Sequence, residues 1–361
     1  MKKLGVLTSG GDSPGMNAAI RAVAKLAAAK GVPVAGVIDG YDGLIDGQYR
    51  ELTRFKADGT VVVDLEVDSA GGQGGTFLGS ARSPRFRERP GRAQAFQSMT
   101  KAGIDGLVVI GGNGSLTGAH LFAQEQGVRV IGIPGSIDND IGCTATALGV
   151  DTALNTIVHA CDNISDTARA HRRAFVVEVM GRDCGYLAMA SAIALAADAV
   201  LIREQGKSEE QLVEGVSGVI RVGYERGKRR ILIIKAEGVH VPCTRLVRLT
   251  EARMKPQMPQ VEIRATVLGH VVRGGNPSYL DRAVGGRLGF AAVTALLEGH
   301  SDEMVGWKPP VPGGIPTGDA YVFRFPLDRV LAETAALIDG TSVVTKRRMA
   351  LMEQASGVLA L

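Results

Sequence analysis

Residues Leu107 to Asp140 constrain this chain more than any other stretch: LVVIGGNGSLTGAHLFAQEQGVRVIGIPGSIDND. Leu107 to Ile110 is an apolar run of strand length, and Gly111-Gly112-Asn113-Gly114-Ser115 follows it as a glycine-rich turn. A helical segment comes next, then a second strand from Val128 to Ile133, ended by Pro134-Gly135. Ser136-Ile137-Asp138-Asn139-Asp140 closes the stretch as a turn carrying two acids. In a right-handed βαβ unit both turns leave the sheet at the carboxyl ends of their strands, where open α/β sheets bind ligands. The pattern predicts a phosphate cradle and a pair of acids facing one crevice, the layout that phosphoryl transfer needs.

The same alternation opens the chain. Leu4 to Thr8 reads as a strand running into Ser9-Gly10-Gly11-Asp12-Ser13-Pro14-Gly15, and a helix with Ala19, Ile20, Val23 and Leu26 at helical spacing follows. Gly31 ends that helix, and Val34 to Ile38 is the next strand. Glycines at a strand-to-helix turn let backbone N–H groups approach a phosphate, although a plain tight turn uses the same residues and both readings stay open. The chain has no G-x-x-x-x-G-K-[ST] motif, and Thr117 stands where a dinucleotide fingerprint would place its third glycine. A second glycine-rich loop, Gly71 to Arg82, ends in an arginine that either meets a nucleotide phosphate or is simply solvated.

After Asp140 a second βαβ set begins. Thr152 to Ala168 reads as a long helix, Ala174 to Met180 as a strand, Glu209 to Arg226 as an amphipathic helix and Arg230 to Ala236 as a strand. Pro309 to Pro316 reads as a loop that continues neither helix nor strand, and Val330 to Leu337 as a helix. The fold class expected is α/β, two doubly wound βαβ domains with largely parallel sheets. The first domain is expected to span 1–148 plus about 272–322, the second 149–271 plus about 323–361.

Composition narrows the functions. A formal charge of +4 on 361 residues is weak, and aromatics at 4% are too sparse to interleave with basic clusters, so no nucleic-acid partner is expected. No charge-free apolar run approaches the roughly 20 residues that span a bilayer, and the short N-terminal strand is no signal peptide, so no membrane partner is expected either. Cys143, Cys161, Cys184 and Cys243 form no C-x-x-C pair, which argues against zinc and disulfides and for a cytoplasmic location.

Four strand ends carry the candidate chemistry: Asp138 with Asp140, Met180-Gly181-Arg182, Glu237-Gly238, and His270 with Arg273. Arg173 and Arg264 add two cations. Arginines beside two carboxylates suit a phosphorylated substrate whose hydroxyl must lose its proton. A D-x-D pair can supply a base and its partner, or cap a turn, and the residues alone allow either.

Taken together, the motifs GVLTSGGDSPGMNAAIRAV, GGTFLGSAR, GGNGS, PGSIDNDI, VVEVMGRDCGYLA, AEG and RATVLGHVVRGGNPSYLDR resemble the 6-phosphofructokinase family across about residues 4 to 300. SIDND and SLTGA are closest in wording to the N-terminal halves of animal-type enzymes. The resemblance implies an ATP-dependent enzyme that phosphorylates the 1-hydroxyl of fructose 6-phosphate, with a nucleotide-binding first domain and a sugar-phosphate-binding second. Asp138 would be the base, with Asp140, Ser136 and Arg182 beside the transferring phosphoryl group. Ile137, Arg173, Met180, Gly181, Glu237, Arg264, His270 and Arg273 would hold the sugar phosphate. Gly11, Arg82, Ser83, Gly112, Asn113, Gly114 and Ser115 would hold ATP. Mg²⁺ would sit near Asn113 and reach Asp138 or Asp140 through water. Arg173 and Arg264 would serve a neighbouring subunit's site, implying a homotetramer. Gly114 and Gly135 match ATP users, since diphosphate-dependent relatives carry Asp and Lys there. Asn113 departs from the family's GGDGS, whose acid helps hold the metal. That departure leaves open a diphosphate-dependent or weakly active kinase, or a non-catalytic sugar-phosphate-binding paralogue. The tail from about Val311 matches the family poorly.

Overall fold

Leu4–Ser9, buried at every position, forms the strand β1 near the middle of an eight-stranded sheet. In the computed structural model, which describes residues 1–359, the chain alternates between two units. Unit 1 comprises Met1–Ile137, Ile141–Thr152 and Arg273–Ala336; unit 2 takes Asp138–Asp140, Ala153–Val272 and the chain from Leu337.

Unit 1 begins with β1, α1 (Met16–Ala29), β2 (Val34–Val37), α2 (Gly40–Asp46) and β3 (Tyr49–Glu51). A separate hairpin, β4 (Thr53–Phe55) and β5 (Val61–Val63), leads to α3 (Leu65–Ala70), α4 (Pro84–Arg87) and α5 (Arg89–Lys101). The stretch expected as βαβ follows as β6 (Gly106–Gly111), α6 (Asn113–Gln126) and β7 (Val130–Pro134). α7 (Val150–His171) then carries the chain into unit 2, with β8 (Ala174–Val179), α8 (Tyr186–Ala194), β9 (Ala199–Leu201), α9 (Glu209–Glu225), β10 (Ile231–Ala236), α10 (Cys243–Met254) and β11 (Ile263–Val267). Unit 1 is completed by α11 (Tyr279–Leu297), β12 (Glu303–Trp307), β13 (Ile315–Pro316) and β14 (Val322–Pro326), after which come α12 (Leu327–Asp339) and α13 (Val343–Leu359).

The large sheet runs β13-β14-β12-β7-β6-β1-β2-β3. Its five central strands pair in parallel, while β3, β13 and β14 are antiparallel additions at the two edges. Helices cover both faces of a parallel sheet, which is why β1, β6 and β7 are apolar runs rather than alternating patterns. Ile20, Val23 and Ala27 of α1 and Leu288, Ala292 and Leu296 of α11 share one core with Leu4, Val6, Val108 and Ile110 of the sheet.

Unit 2 holds a four-stranded sheet, β11-β8-β10-β9, parallel throughout. Lys235 on β10 is fully buried and donates to Glu178 of β8 at 2.8 Å, so the charge placed in this sheet arrives with its partner.

Two expectations change. Pro309–Pro316 is not entirely loop: Ile315 and Pro316 pair antiparallel with Arg324 and Phe323, a pairing open to proline because β13 is an edge strand. The last crossing into unit 2 falls at Leu337 rather than near residue 323, because β14 pairs along its whole length with β12. At the other boundary, Asp281 of α11 accepts from Gly149 N–H and Thr152 N–H, both at 2.8 Å, and keeps those residues in unit 1. Burial pushes the Asp281 carboxyl up from its ordinary range, against those same hydrogen bonds.

Candidate active site

Three parallel strands of unit 1 end side by side. The register pairs Ser9 of β1 with Gly111 of β6, and Gly111 with Pro134 of β7. The turns Gly10–Gly15, Gly112–Gly114 and Gly135–Ile137 therefore leave the same edge. Gly10 and Gly15 have φ of 89° and 97°, which a side chain would resist. Gly111 is required by its neighbours: a Cβ there would come within 2.5 Å of the Ser9 carbonyl oxygen and 2.7 Å of the Ser115 Cβ.

Gly114 is different. It lies in the first turn of α6, and a Cβ on it would meet nothing within 4 Å. Glycine inside a helix costs about 0.5–1 kcal/mol relative to alanine, so packing gives no reason for it. Its effect is to leave the N-terminus of α6 bare, where orphan N–H groups and the helix dipole favour an anion. Asn113 heads the same helix, and the Ser115 hydroxyl donates to the Ser9 carbonyl at 2.9 Å, tying the β6 turn to the β1 turn.

The 71–82 loop is laced to the same edge. The Asn17 amide donates to the Gln73 and Gly74 carbonyls and accepts from Phe77 N–H at 2.9 Å, and Thr8 donates to the Gly79 carbonyl. Gly10 N–H donates to Ala81 O, and the Ser80 hydroxyl to Gly10 O, which brings exposed Arg82 beside the β1 turn. The Ser83 hydroxyl caps α4 by accepting from Phe86 N–H and donates to Asp42 at 2.5 Å. Arg273, expected on the sugar phosphate, extends over the first turn, with its Nη1 donating to the Asp12 carbonyl at 3.3 Å and standing 2.9 Å from where a Gly11 Cβ would be. Ser136 and Ile137 complete this edge at the end of unit 1.

Unit 2 gathers a different set. Val179 of β8 pairs with Ala236 of β10, so Met180-Gly181-Arg182 and Glu237-Gly238 emerge together. Glu237 N–H donates to Val179 O at 2.9 Å and Gly238 N–H to Gly181 O at 3.3 Å. The Arg182 side chain is largely exposed and pairs with Asp183 at 3.3 Å. On the other side of β8, β11 ends at Val267, Leu268 N–H donates to Glu178 O, and exposed His270 follows on a short helical turn at the same edge. Asp138, Asn139 and Asp140 belong to this unit, with Asn139 buried at φ 51°.

Arg173 and Arg264 are not brought to that edge. Arg173 precedes β8 and Arg264 pairs with Phe175, so both lie toward the amino ends of the strands. β8 is six residues long, which separates its two ends by roughly 16 Å. Both arginines are ion-paired to Glu262, and the Arg173 hydrogen bond first, then the charges of Arg173, Arg264 and His171, hold that carboxyl below its ordinary value.

Sequence reasoning missed the residues that brace these turns. Asn17 and Asp281 bond partners roughly 60 and 130 positions away, and Asn17 is signalled only by being a polar residue on the apolar face of α1.

A phosphofructokinase family model matches residues 3–296. The chain is 45% identical over 311 residues to the ATP-dependent 6-phosphofructokinase of Natranaerobius thermophilus, covering 85% of this chain and 90% of that protein. It is 42% identical over 341 residues to the enzyme of the same name from Thermotoga neapolitana, covering 94% and 100%. Pichia pastoris phosphofructokinase in the T-state superposes with a TM-score of 0.83 at 32% identity, over 99% of this chain and 41% of that one. The chain thus spans the length of its bacterial relatives and less than half of the yeast protein. Its motifs, its paired sheets and these relatives agree: the chain belongs to the phosphofructokinase family.

Proposed function

We propose that this chain is an ATP-dependent 6-phosphofructokinase, which transfers the γ-phosphoryl group of ATP to the 1-hydroxyl of fructose 6-phosphate and releases ADP and fructose 1,6-bisphosphate. The observation that carries this reading is the bare N-terminus of α6 at Gly114, beside the β1 turn, in a chain 45% identical to an ATP-dependent enzyme. Gly11, Gly112 and Gly114 cradle the nucleotide phosphates through backbone N–H groups, Ser115 stands at the same turn with its own N–H donating to the Gly112 carbonyl at 3.0 Å, and Arg82 adds charge. An aspartate at position 114 would put side-chain bulk and a negative charge at that bare N-terminus, whereas glycine leaves the space open for the larger nucleotide donor.

Asp138 accepts the proton of the 1-hydroxyl as the oxygen attacks the γ-phosphorus and the bond to the ADP oxygen breaks. Arg182 stabilises the charge on the transferring group, and Ser136 and Asp140 orient its surroundings. Met180, Gly181, Glu237 and His270 hold the sugar phosphate, and Ile137 lies at the turn. Arg273 is assigned to the sugar phosphate, and its donation to the Asp12 carbonyl sets the same cation beside the β1 turn. Arg173 and Arg264, toward the amino ends of their strands, are left to serve a neighbouring subunit's site; the assembly is a homotetramer in the cytoplasm by family resemblance. No helix among the described residues is long and apolar enough to cross a membrane.

Among the described residues no cluster of three or more His, Cys, Asp or Glu forms a metal cage. That fits Mg²⁺, which is commonly held by substrate phosphates, water and one or two carboxylates. Asp138 or Asp140 would reach it through water, and the Asn113 amide would offer an uncharged oxygen. When bound, the ion would neutralise the β and γ oxygens.

Purified protein with fructose 6-phosphate, given ATP or diphosphate side by side, tests the reading. Fructose 1,6-bisphosphate should form with ATP and not with diphosphate. Product from diphosphate alone would reverse the donor, and sugar-phosphate binding without product would make the chain a binding paralogue.

A further inference from the structure

The turn that carries Asp138 is held from the far end of the chain. Asn139 separates the two acids and sits at φ 51°, a left-handed conformation that asparagine adopts more readily than most residues with a side chain. Here its carbonyl is buried and accepts from both terminal nitrogens of Arg348, Nη1 at 3.4 Å and Nη2 at 3.3 Å. The same guanidinium lies 4.5 Å over the Tyr186 ring and donates to the Cys184 sulfur at 3.4 Å. Cys184 closes the loop that bears Arg182, and Tyr186 opens α8 behind it. One planar cation therefore joins the Asp138–Asp140 turn to the Arg182 loop.

Arg348 lies on α13, outside the residues 3–296 matched by the family model. Its helix is seated for the task. Thr345, Arg348 and Met352 fall at i, i+3 and i+7, on one face. Thr345 donates to the Leu337 carbonyl at 3.2 Å, and Met352 is buried. All of these residues belong to unit 2.

We propose that Arg348 is a positioning residue for phosphoryl transfer, holding the 139–140 peptide so that Asp138 and Asp140 keep the directions the reaction needs; this rests on Asp138 being the base. Rotating the Asn139 backbone would redirect the chain between Asp138 and Asp140. A guanidinium fork can donate two bonds to one carbonyl while its carbon stands over a ring, which an ammonium cannot match, so lysine is a poor substitute.

The test uses the full chain with Arg348→Met, Arg348→Lys and, as a control that loosens the tail but keeps the arginine, Met352→Ala. Arg348→Met should lower kcat by about 10- to 100-fold, the scale of a misplaced catalytic group, with KM for ATP within about twofold of the parent. Arg348→Lys should recover part of the loss. The proposal is overturned if both arginine variants keep kcat within about twofold, or if Met352→Ala, at a matched fall in melting temperature, loses as much kcat. Asp138→Ala run alongside separates the two possible failures. Near-parental turnover there removes the base and with it this role for Arg348, whereas a lost base with unaffected arginine variants removes Arg348 alone.

Discussion

The carboxyl edge of the eight-stranded sheet and that of the four-stranded sheet offer ligands different groups. In unit 1 the candidate contacts are mostly backbone: N–H groups at Gly10–Gly15 and at the start of α6, made accessible by missing side chains. In unit 2 they are side chains: Arg182, Glu237 and His270 follow the ends of β8, β10 and β11, and Asp138 lies in the turn after β7. A backbone cradle accepts any phosphate of the right shape and is damaged by adding a methyl group. A side-chain set reads one substrate and is damaged by removing a single group. The two sheets should therefore fail in opposite ways when mutated.

The largest effect is expected in unit 2. Asp138→Ala should lower kcat by about 10²- to 10⁴-fold, the usual worth of a positioned base, and a coupled assay showing less than a tenfold loss would break the contrast. In unit 1 the matching lesion is an addition. Gly111→Ala drives a methyl group against the Ser9 carbonyl and Ser115, and overpacking of this kind costs about 1–3 kcal/mol of stability. Its melting temperature should fall and its KM for ATP rise, with KM for fructose 6-phosphate little changed; an unaltered KM for ATP would detach the β6 turn from the nucleotide. The smallest effect belongs to the side chain at the head of α6. Asn113→Asp should tighten Mg²⁺ by a few-fold, since the ion prefers a charged oxygen to an amide. If activity instead falls at unchanged metal dependence, titrated from limiting to saturating Mg²⁺, the asparagine is an adaptation of this cradle.

The same contrast explains what could be read from the amino-acid order. Glycine patterning marks backbone that must turn sharply, so the turns at Gly10–Gly15 and Gly111–Ser115 were visible, and so were the parallel strands feeding them. The partners of Ser83 were not: a serine ahead of a proline can meet a phosphate or cap a helix, and its bond to Asp42, about 40 positions away, leaves no local pattern. Arg273 likewise sits at a strand-like end in the sequence, yet its guanidinium reaches back to Asp12 across the whole of unit 2 in the sequence. The place where the tail changes units was missed because β14 completes a sheet begun at residue 4, and strand pairing over that separation leaves no local pattern. The partners of Arg348 were invisible for the same reason.

That interleaving has a consequence for how the protein is made. β7 finds its second neighbour in β12, whose Glu303 pairs with Ile131, and everything in unit 2 up to Val272 is translated between them. At about 5–20 residues per second, the edge of β7 waits on the ribosome for roughly 8 to 34 s with its ladder uncovered. Meanwhile β8 to β11 are contiguous in the chain and can complete their own sheet during that interval. The unit that starts second in the chain is thus free to mature first, while the nascent large sheet keeps an open edge until β12 arrives.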